Sequence, residues 1–318
     1  MSALRAVAVL ALGMLMLASA HAAEWPAKPV RIVVAFGAGG SADVLGRLIA
    51  AELTDVFHQR FYVENRPGNS GSIGSALVAR AEPDGYTLLI GGSGPHLTGP
   101  AINPHIGYDP MGDFTHIAMI AGDTYALAVN PTLGAHTLDD VIRLAREKPL
   151  ASASPGPGSL GHLLLLEFNQ VAGIQIEHIP SPGGSVTDVL GNHVPLALTT
   201  VLTVGQYLRV GTLTGIALTS PERNPAFPDI PTFAEQGFPQ IHGSTWFWLT
   251  APKGLPPPIV GRLNRAVRQV VRAPRVEQYF RQQALMTMDL DVAGVNKFLR
   301  GELAYWAPLA KASGLRVP

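Results

Sequence analysis

The chain has 318 residues, no cysteine, and 23 Lys+Arg against 23 Asp+Glu. Its length suits one large domain or two lobes of ordinary size, and 47% hydrophobic against 14% charged residues supplies buried cores and argues against disorder. The charge balance gives nothing to track a phosphate backbone, and the lack of cysteine excludes disulfide scaffolds, thiolate chemistry and cysteine-bound metals.

The N-terminus reads as an export signal. Arg5 supplies a positive start, Ala6 to Ala18 is an apolar run of signal-peptide length, and Ala20-His21-Ala22 fits a small-x-small cleavage site. The run is too short to span a bilayer comfortably. Residues 1–22 are therefore expected to be removed, which takes away one base and no acid. The expected product is a soluble periplasmic chain, since no later apolar run reaches spanning length.

From Val30 onward, strand-like and helix-like segments alternate. Val30–Phe36 is a β-branched run of the kind buried on both faces of a sheet. Ser41–Phe57 has helical spacing, Phe61–Val63 reads as a strand, and Ile73–Ala81 as a helix ended by the turn signal Pro83-Asp84-Gly85. Tyr86–Ile90, His116–Ile120 and Ala126–Asn130 read as three further strands, the last two near a lobe boundary. The pattern then restarts. Leu138–Glu147 is helical, Leu150–Ser154 a strand, Gly161–Val171 an apolar helix, Gln175–Ile179 a strand and Val186–Leu190 a short helix. Val194–Thr199, Thr212–Leu218 and Ser244–Thr250 read as strands, and Pro257–Val271, Pro274–Ala284 and Val292–Ser313 as closing helices. Such alternation implies mainly parallel sheets flanked by helices.

Two glycine-rich loops share one layout, strand before and helix after. The first runs Phe36-Gly37-Ala38-Gly39-Gly40-Ser41-Ala42-Asp43 and the second Ser154-Pro155-Gly156-Pro157-Gly158-Ser159-Leu160-Gly161. Glycines let backbone approach a ligand. The free amides and dipole of a helix start favour an anion, and Ser41 and Ser159 add donors or caps. The same spacings match the dinucleotide fingerprint, with Glu64 where a ribose-binding acid would stand, but no catalytic constellation accompanies them. Each loop also reads as an ordinary tight turn with a capping serine. Having one in each half points to two helix starts aimed into one cleft, which suits a carboxylate.

Other chemistry is sparse. No G-x-S-x-G elbow and no H-E-x-x-H or histidine cluster occurs, so neither hydrolysis nor metal binding is expected. His96 and His162 each follow a glycine-rich stretch. His162 reads either as an anion donor or as a brace for its loop. Arg66 reads as a partner of Glu64 or Asp43 before a ligand carboxylate. Trp246 and Trp248 share one strand face as packing residues.

Taken together, WPAKPVRIVVAFGAGGSADVLGRLIA, VENRPGNSGSIGSALVARAEPDGYTLLIG, YDPMGDFTHIA, TSPERNPAFPDIPTFAEQGFP, STWFWLTAPKGLPPPIVGRLN and the Trp306–Leu315 tail resemble the substrate receptors of tripartite tricarboxylate transporters, the Bug-type receptors. The resemblance covers nearly all of the chain after the export signal. It implies an α/β, two-lobed periplasmic binding protein, type II-like, with a hinge of crossing strands. It also implies no catalysis, and no cofactor or metal is expected. The ligand would be a carboxylate (a di- or tricarboxylate, an aromatic acid or an amino acid) held by backbone amides and water.

The family's first loop reads roughly PFPPGGGTD; here Gly37 and Ala38 replace both prolines and Ala42 the threonine. The second loop keeps Gly156, Gly158, Ser159 and His162. The third, Pro180 to Asn192, is about two residues shorter with Ser181 for tyrosine, and Val194-Pro195-Leu196 replaces V-D-L. Lobe 1 is expected at 23–122 plus 244–318 and lobe 2 at 123–243. Gly39, Gly40 and Ser41 should face Ser154, Gly158 and Ser159, flanked by Ser93 and Asp188, with Phe36, Asp43 and His162 as further ligand-binding candidates. Expected partners are the organic acid and, transiently, membrane transporter subunits, for a monomer that binds no nucleic acid. The rival readings are a secreted hydrolase on a related fold and a receptor feeding a membrane sensor kinase.

Overall fold

The computed structural model describes residues 25–103, 105–181 and 184–315. The expected export signal, and Pro182 and Gly183 of the third loop, lie outside the described residues.

Strand β1 (Val30–Val34) shows how the sheet is buried. Val30, Ile32 and Val34 pack with Leu45, Ile49 and Leu53 of helix α1 (Ser41–Phe57), while Val33 and the following Ala35 pack with Val78, Leu89 and Phe114 on the other side. Alternate residues thus feed two cores, as period-2 geometry requires. Gly46 lets α1 lie close to β1, because a Cβ there would stand 2.8 Å from Val34 Cγ2. That contact fixes where α1 begins, and the first glycine loop ends there.

Strands β2 (Phe61–Asn65) and β3 (Thr87–Gly92) run parallel to β1 on its two sides. Helix α2 (Ser72–Ala79) lies between them in sequence. A helical segment, 94–102, follows β3. In the second half, β5 (Leu150–Ser154) runs parallel to β6 (Ile176–Pro180) and β7 (Leu196–Thr200). The helices here are α3 (Leu138–Glu147), α4 (Leu160–Ala172), α5 (Ser185–Leu190) and α6 (Val201–Arg209). Strand β8 is Thr214–Leu218, β9 is Ser244–Pro252, and helices α7 (Pro257–Val271), α8 (Pro274–Gln282) and α9 (Val292–Ala312) close the described chain.

The halves are joined by β4 (Phe114–Val129), one strand of 16 residues where the sequence reads as two. Its first part pairs antiparallel with β9, and Tyr125–Val129 pairs with β7 and β8. The sheet order is β2-β1-β3-β9-β4-β7-β5-β6, with β8 also on β4. Gly122 and Asp123 look like a break in sequence, but both are accommodated. Gly122 lies under Trp246, with room for no Cβ, and the Asp123 carboxylate is hydrogen-bonded where it is buried. Parallel strands form each half, and antiparallel crossing strands join them into a two-lobed α/β protein.

Helix α6 has no counterpart in the sequence reading. Its β-branched start, Val201 to Val204, looks like a continuation of β7. Burial of Val201 and Val204 with Val189 and Phe227 selects the helix instead. Trp306 of α9 packs with Leu164 and Phe168 of α4, whereas its neighbour Tyr305 is exposed.

Candidate functional site

Between the halves lies a cavity of about 90 Å³. A single water needs roughly 10–15 Å³ on the same measure, so a small organic guest fits and a dinucleotide does not. Four chain segments build the wall. Phe36, Gly37, Ala38, Gly40, Ser41 and Ala42 lead into the start of α1, and Pro155, Ser159 and Leu160 belong to the start of α4. Ser181, Gly184, Ser185 and Val186 surround the start of α5, and Thr199, Thr200 and Thr203 span the turn from β7 into α6. Tyr125, Thr245 and Phe247 close it from the crossing strands, and Gly94 from the segment after β3.

The two long helix starts meet the cavity as the loop pattern suggests. Ser159 is the N-cap of α4, its Oγ accepting from His162 N–H at 3.4 Å, while Gly40 caps α1 and Ser41 is its first helical residue. The amides of Ala42 and Leu160 find no acceptor among the described residues. Free amides at a helix start are anion donors. No lining residue carries a charged side chain.

The residues singled out from the sequence divide into three groups. Phe36, Gly40, Ser41 and Ser159 line the cavity. Gly39, Asp43, Ser154, Gly158 and His162 stand behind the lining and brace the loops. Asp43 accepts from Gly39 N–H at 3.0 Å, from Asn65 Nδ2 at 2.9 Å and from Arg47. Burial alone would raise its pKa, but those hydrogen bonds and the Arg47 charge hold it below the usual carboxylate range. Ser154 Oγ lies 2.6 Å from His178 Nε2 and 3.1 Å from Ser159 Oγ. His162 stacks on His178 with ring centroids 3.6 Å apart, and its Nδ1 accepts from Gly158 N–H at 3.3 Å. Burial takes both imidazoles down to about 4, so neither is cationic near neutrality.

Ser93 and Asp188 form the third group, at a remove from the guest space. Ser93 Oγ accepts from Trp246 N–H at 2.9 Å, and Asp188 accepts from Ser181 Oγ. Arg66 pairs with Glu64, which Arg31 also holds at 3.1 Å. The three serines that could serve a hydrolase, Ser41, Ser93 and Ser159, have no imidazole partner among the described residues. Ser154, which has one, does not line the cavity.

Sequence reading missed the threonine wall. Ser41 Oγ lies 2.7 Å from Thr200 Oγ1 and 3.2 Å from Thr203 Oγ1, which also accepts from Ser41 N–H at 3.2 Å. Behind them Asp123, buried to 1% exposure, accepts from Ser41 Oγ at 2.8 Å and from Leu202 N–H at 3.2 Å. Burial raises its pKa to about 7, against the pull of the Ser41 hydroxyl, the Leu202 amide, the Thr200 hydroxyl and the Thr124 amide. Thr200-x-x-Thr203 at a strand-to-helix turn was the one available signal, and its meaning depends on recognising α6.

A family model described as the tripartite tricarboxylate transporter family receptor matches residues 45–315. Protein BugT of Bordetella pertussis is 33% identical over 305 residues, 94% of each chain. A structure described as R. palustris Rpa4515 with adipate is 32% identical, covers 92% of this chain and 99% of its own, and superposes with a TM-score of 0.88. MatC from Rhodopseudomonas palustris with bound malate is 27% identical, with coverage of 90% and 100% and a TM-score of 0.85. Family and architecture agree, and the protein belongs to the tripartite tricarboxylate transporter receptors of the Bug type.

Proposed function

We propose that the chain is an extracytoplasmic receptor that closes over a small carboxylate with an apolar body and passes it to the membrane subunits of a tripartite transporter. One observation carries the reading. The starts of α1 and α4, from opposite halves, line a single cavity with no charged side chain on its wall. Helix amides and hydroxyls stabilise an anion there without a counter-ion. An amino acid is disfavoured within this reading, because its ammonium would find no carboxylate on the lining. Phe36, Phe247 and Tyr125 offer apolar faces to an aliphatic chain. The ligands named for Rpa4515 and MatC, adipate and malate, are small dicarboxylates, and adipate has the apolar body.

The lobes are assigned to 23–122 with 244–318, and to 123–243, so that closure bends the chain where β4 and β9 cross. Export by cleavage after Ala22 fits the family, and no helix among the described residues is long and apolar enough to cross a membrane. A thermal-shift series with adipate, malate and the matching amides tests the reading. An acid at 100 times its Kd should add about 2.7 kcal/mol of stability, and the amides much less. Equal shifts from acid and amide would overturn it.

A further inference from the structure

Asp123 stands directly behind the cavity wall and belongs to neither glycine loop. It sits on β4 where the strand passes from one half to the other. Its hydrogen-bond partners come from both sides of the cleft, Ser41 at the start of α1 on one and Thr200 and Leu202 at the turn into α6 on the other, with the Thr124 amide beside it, and all are neutral. The titratable groups facing it are the phenols of Tyr125, on its own strand, and Tyr279 of α8, which feels Arg209 as well.

We propose that Asp123 sets the hydrogen-bond direction of the Ser41–Thr200–Thr203 wall, so that binding a carboxylate there takes up one proton at Asp123. The inference rests on the carboxylate reading above and assigns to that site a proton linkage.

The wall has three hydroxyl protons, on Ser41, Thr200 and Thr203. With Asp123 ionised, Ser41 donates to its Oδ2, Thr200 donates to Ser41, and Thr203 donates to Thr200, 2.7 Å away. All three protons are used inside the wall. The guest then meets lone pairs backed by a buried negative charge, a poor surface for an anion. With Asp123 protonated, its own O–H donates to Ser41 Oγ. The chain reverses through Thr200 to Thr203, and one O–H is released toward the cavity. The proton comes from the acid form of the buffer, and nothing is oxidised or reduced. Burial already brings Asp123 to about 7, so a neighbouring anion needs to add little to complete the protonation near neutrality.

Calorimetric titration of the processed chain with adipate at pH 6, 7 and 8, in phosphate and in Tris, tests this. Adipate has ordinary carboxyls and is ionised near neutrality. Wild type should take up about half a proton per adipate at pH 7 and more at pH 8, seen as buffer-dependent heat. Its Kd should weaken by up to about tenfold per pH unit above pH 7, the limit for one linked proton. Asp123→Asn should bind with a Kd independent of pH and no proton uptake. Wild-type binding that is flat from pH 6 to 8, with equal heats in both buffers, would overturn the linkage and leave the receptor reading standing. That measurement needs no variant. If adipate, malate and a wider acid panel all fail to bind at every pH, the carboxylate reading itself is overturned, and this inference with it.

Discussion

Both glycine loops reach across the cleft through neutral groups, but only the loop from Gly37 to Asp43 is also fastened within its own half by charge. In the first, Asp43 ties Gly39, Asn65 and Arg47 together within one half. In the second, Ser70 Oγ donates to Pro157 O and Thr98 Oγ1 to Gly158 O, both at 2.6 Å, and Ser70 and Thr98 belong to the opposite half. Similar sequence layouts therefore give different parts. The first loop has a charged brace of its own besides its cross-cleft bonds at Ser41, and the second has two of its carbonyls held by hydroxyls of the opposite half.

Glycine substitutions should separate the two most strongly. Gly158 has φ 75°, and an added Cβ would stand 2.1 Å from Ile102 Cδ1, itself buried beside Leu163 and Ala310. Gly39 has φ 81° but nothing within 4 Å of such a Cβ. Positive φ costs an alanine about 1–2 kcal/mol, and overpacking a further 1–3 kcal/mol. Gly158→Ala should lose about 2–4 kcal/mol and weaken acid binding at least roughly tenfold, since the clash lies across the cleft. Gly39→Ala should lose about 1 kcal/mol and leave Kd nearly unchanged. Equal effects on Kd by calorimetry would break the comparison.

Asp43→Ala probes the fastening of the first loop. It strands the Gly39 amide and the Asn65 amide group, and should cost about 2–3 kcal/mol in urea unfolding at pH 7. Because the folded-state pKa of Asp43 lies below its unfolded value, this contribution is present above about pH 4 and is lost as pH falls through the lowered value. The gap between wild type and variant should therefore close in acid and stay constant from pH 5 to 8.

Asp123 has the opposite sign. Its folded pKa of about 7 exceeds an unfolded value near 3.9. The stability it contributes is complete below about pH 4 and lost as pH rises to about 7. Asp123→Asn removes that loss. Its Tm should exceed that of wild type by a few degrees at pH 8 and match it near pH 4, at about 2–4 °C per kcal/mol for a chain approaching this size. A variant less stable than wild type at pH 8 would show that the carboxylate, not its protonated form, suits the wall.

Much of this was legible in the sequence. Helical spacing places α1, α3 and α7 with their ends, and the β-branched run places β1 with its start but two residues too long, because each is decided by its own periodicity. The two glycine loops are visible because a backbone that approaches a ligand needs glycine where it does so. The joined halves of β4 were not, since Gly122 and Asp123 break a strand unless a neighbour covers the one and caps the other. Nor was the threonine wall. Its members come from α1, β4, β7 and α6, and only the fold brings Ser41 within 3.2 Å of Thr203, 162 positions away. Hydroxyls are too common in sequence to announce themselves.

Ser70 gives the smallest and sharpest effect. It sits in the turn Asn69–Gly71 with φ 51°, a left-handed backbone that a serine adopts at a cost, and it is buried. Its hydroxyl makes the hydrogen bond that crosses to Pro157. Ser70→Ala loses that bond and keeps the strain. It should bind acid about fivefold more weakly, for a loss of roughly 1 kcal/mol. Ser70→Gly loses the same bond and relieves the strain, so its Kd should equal that of Ser70→Ala while its Tm stands a few degrees higher. Equal Tm values would place no strain at this turn. Unequal Kd values would show that backbone freedom at residue 70, and not the hydroxyl, governs how the second loop is grasped.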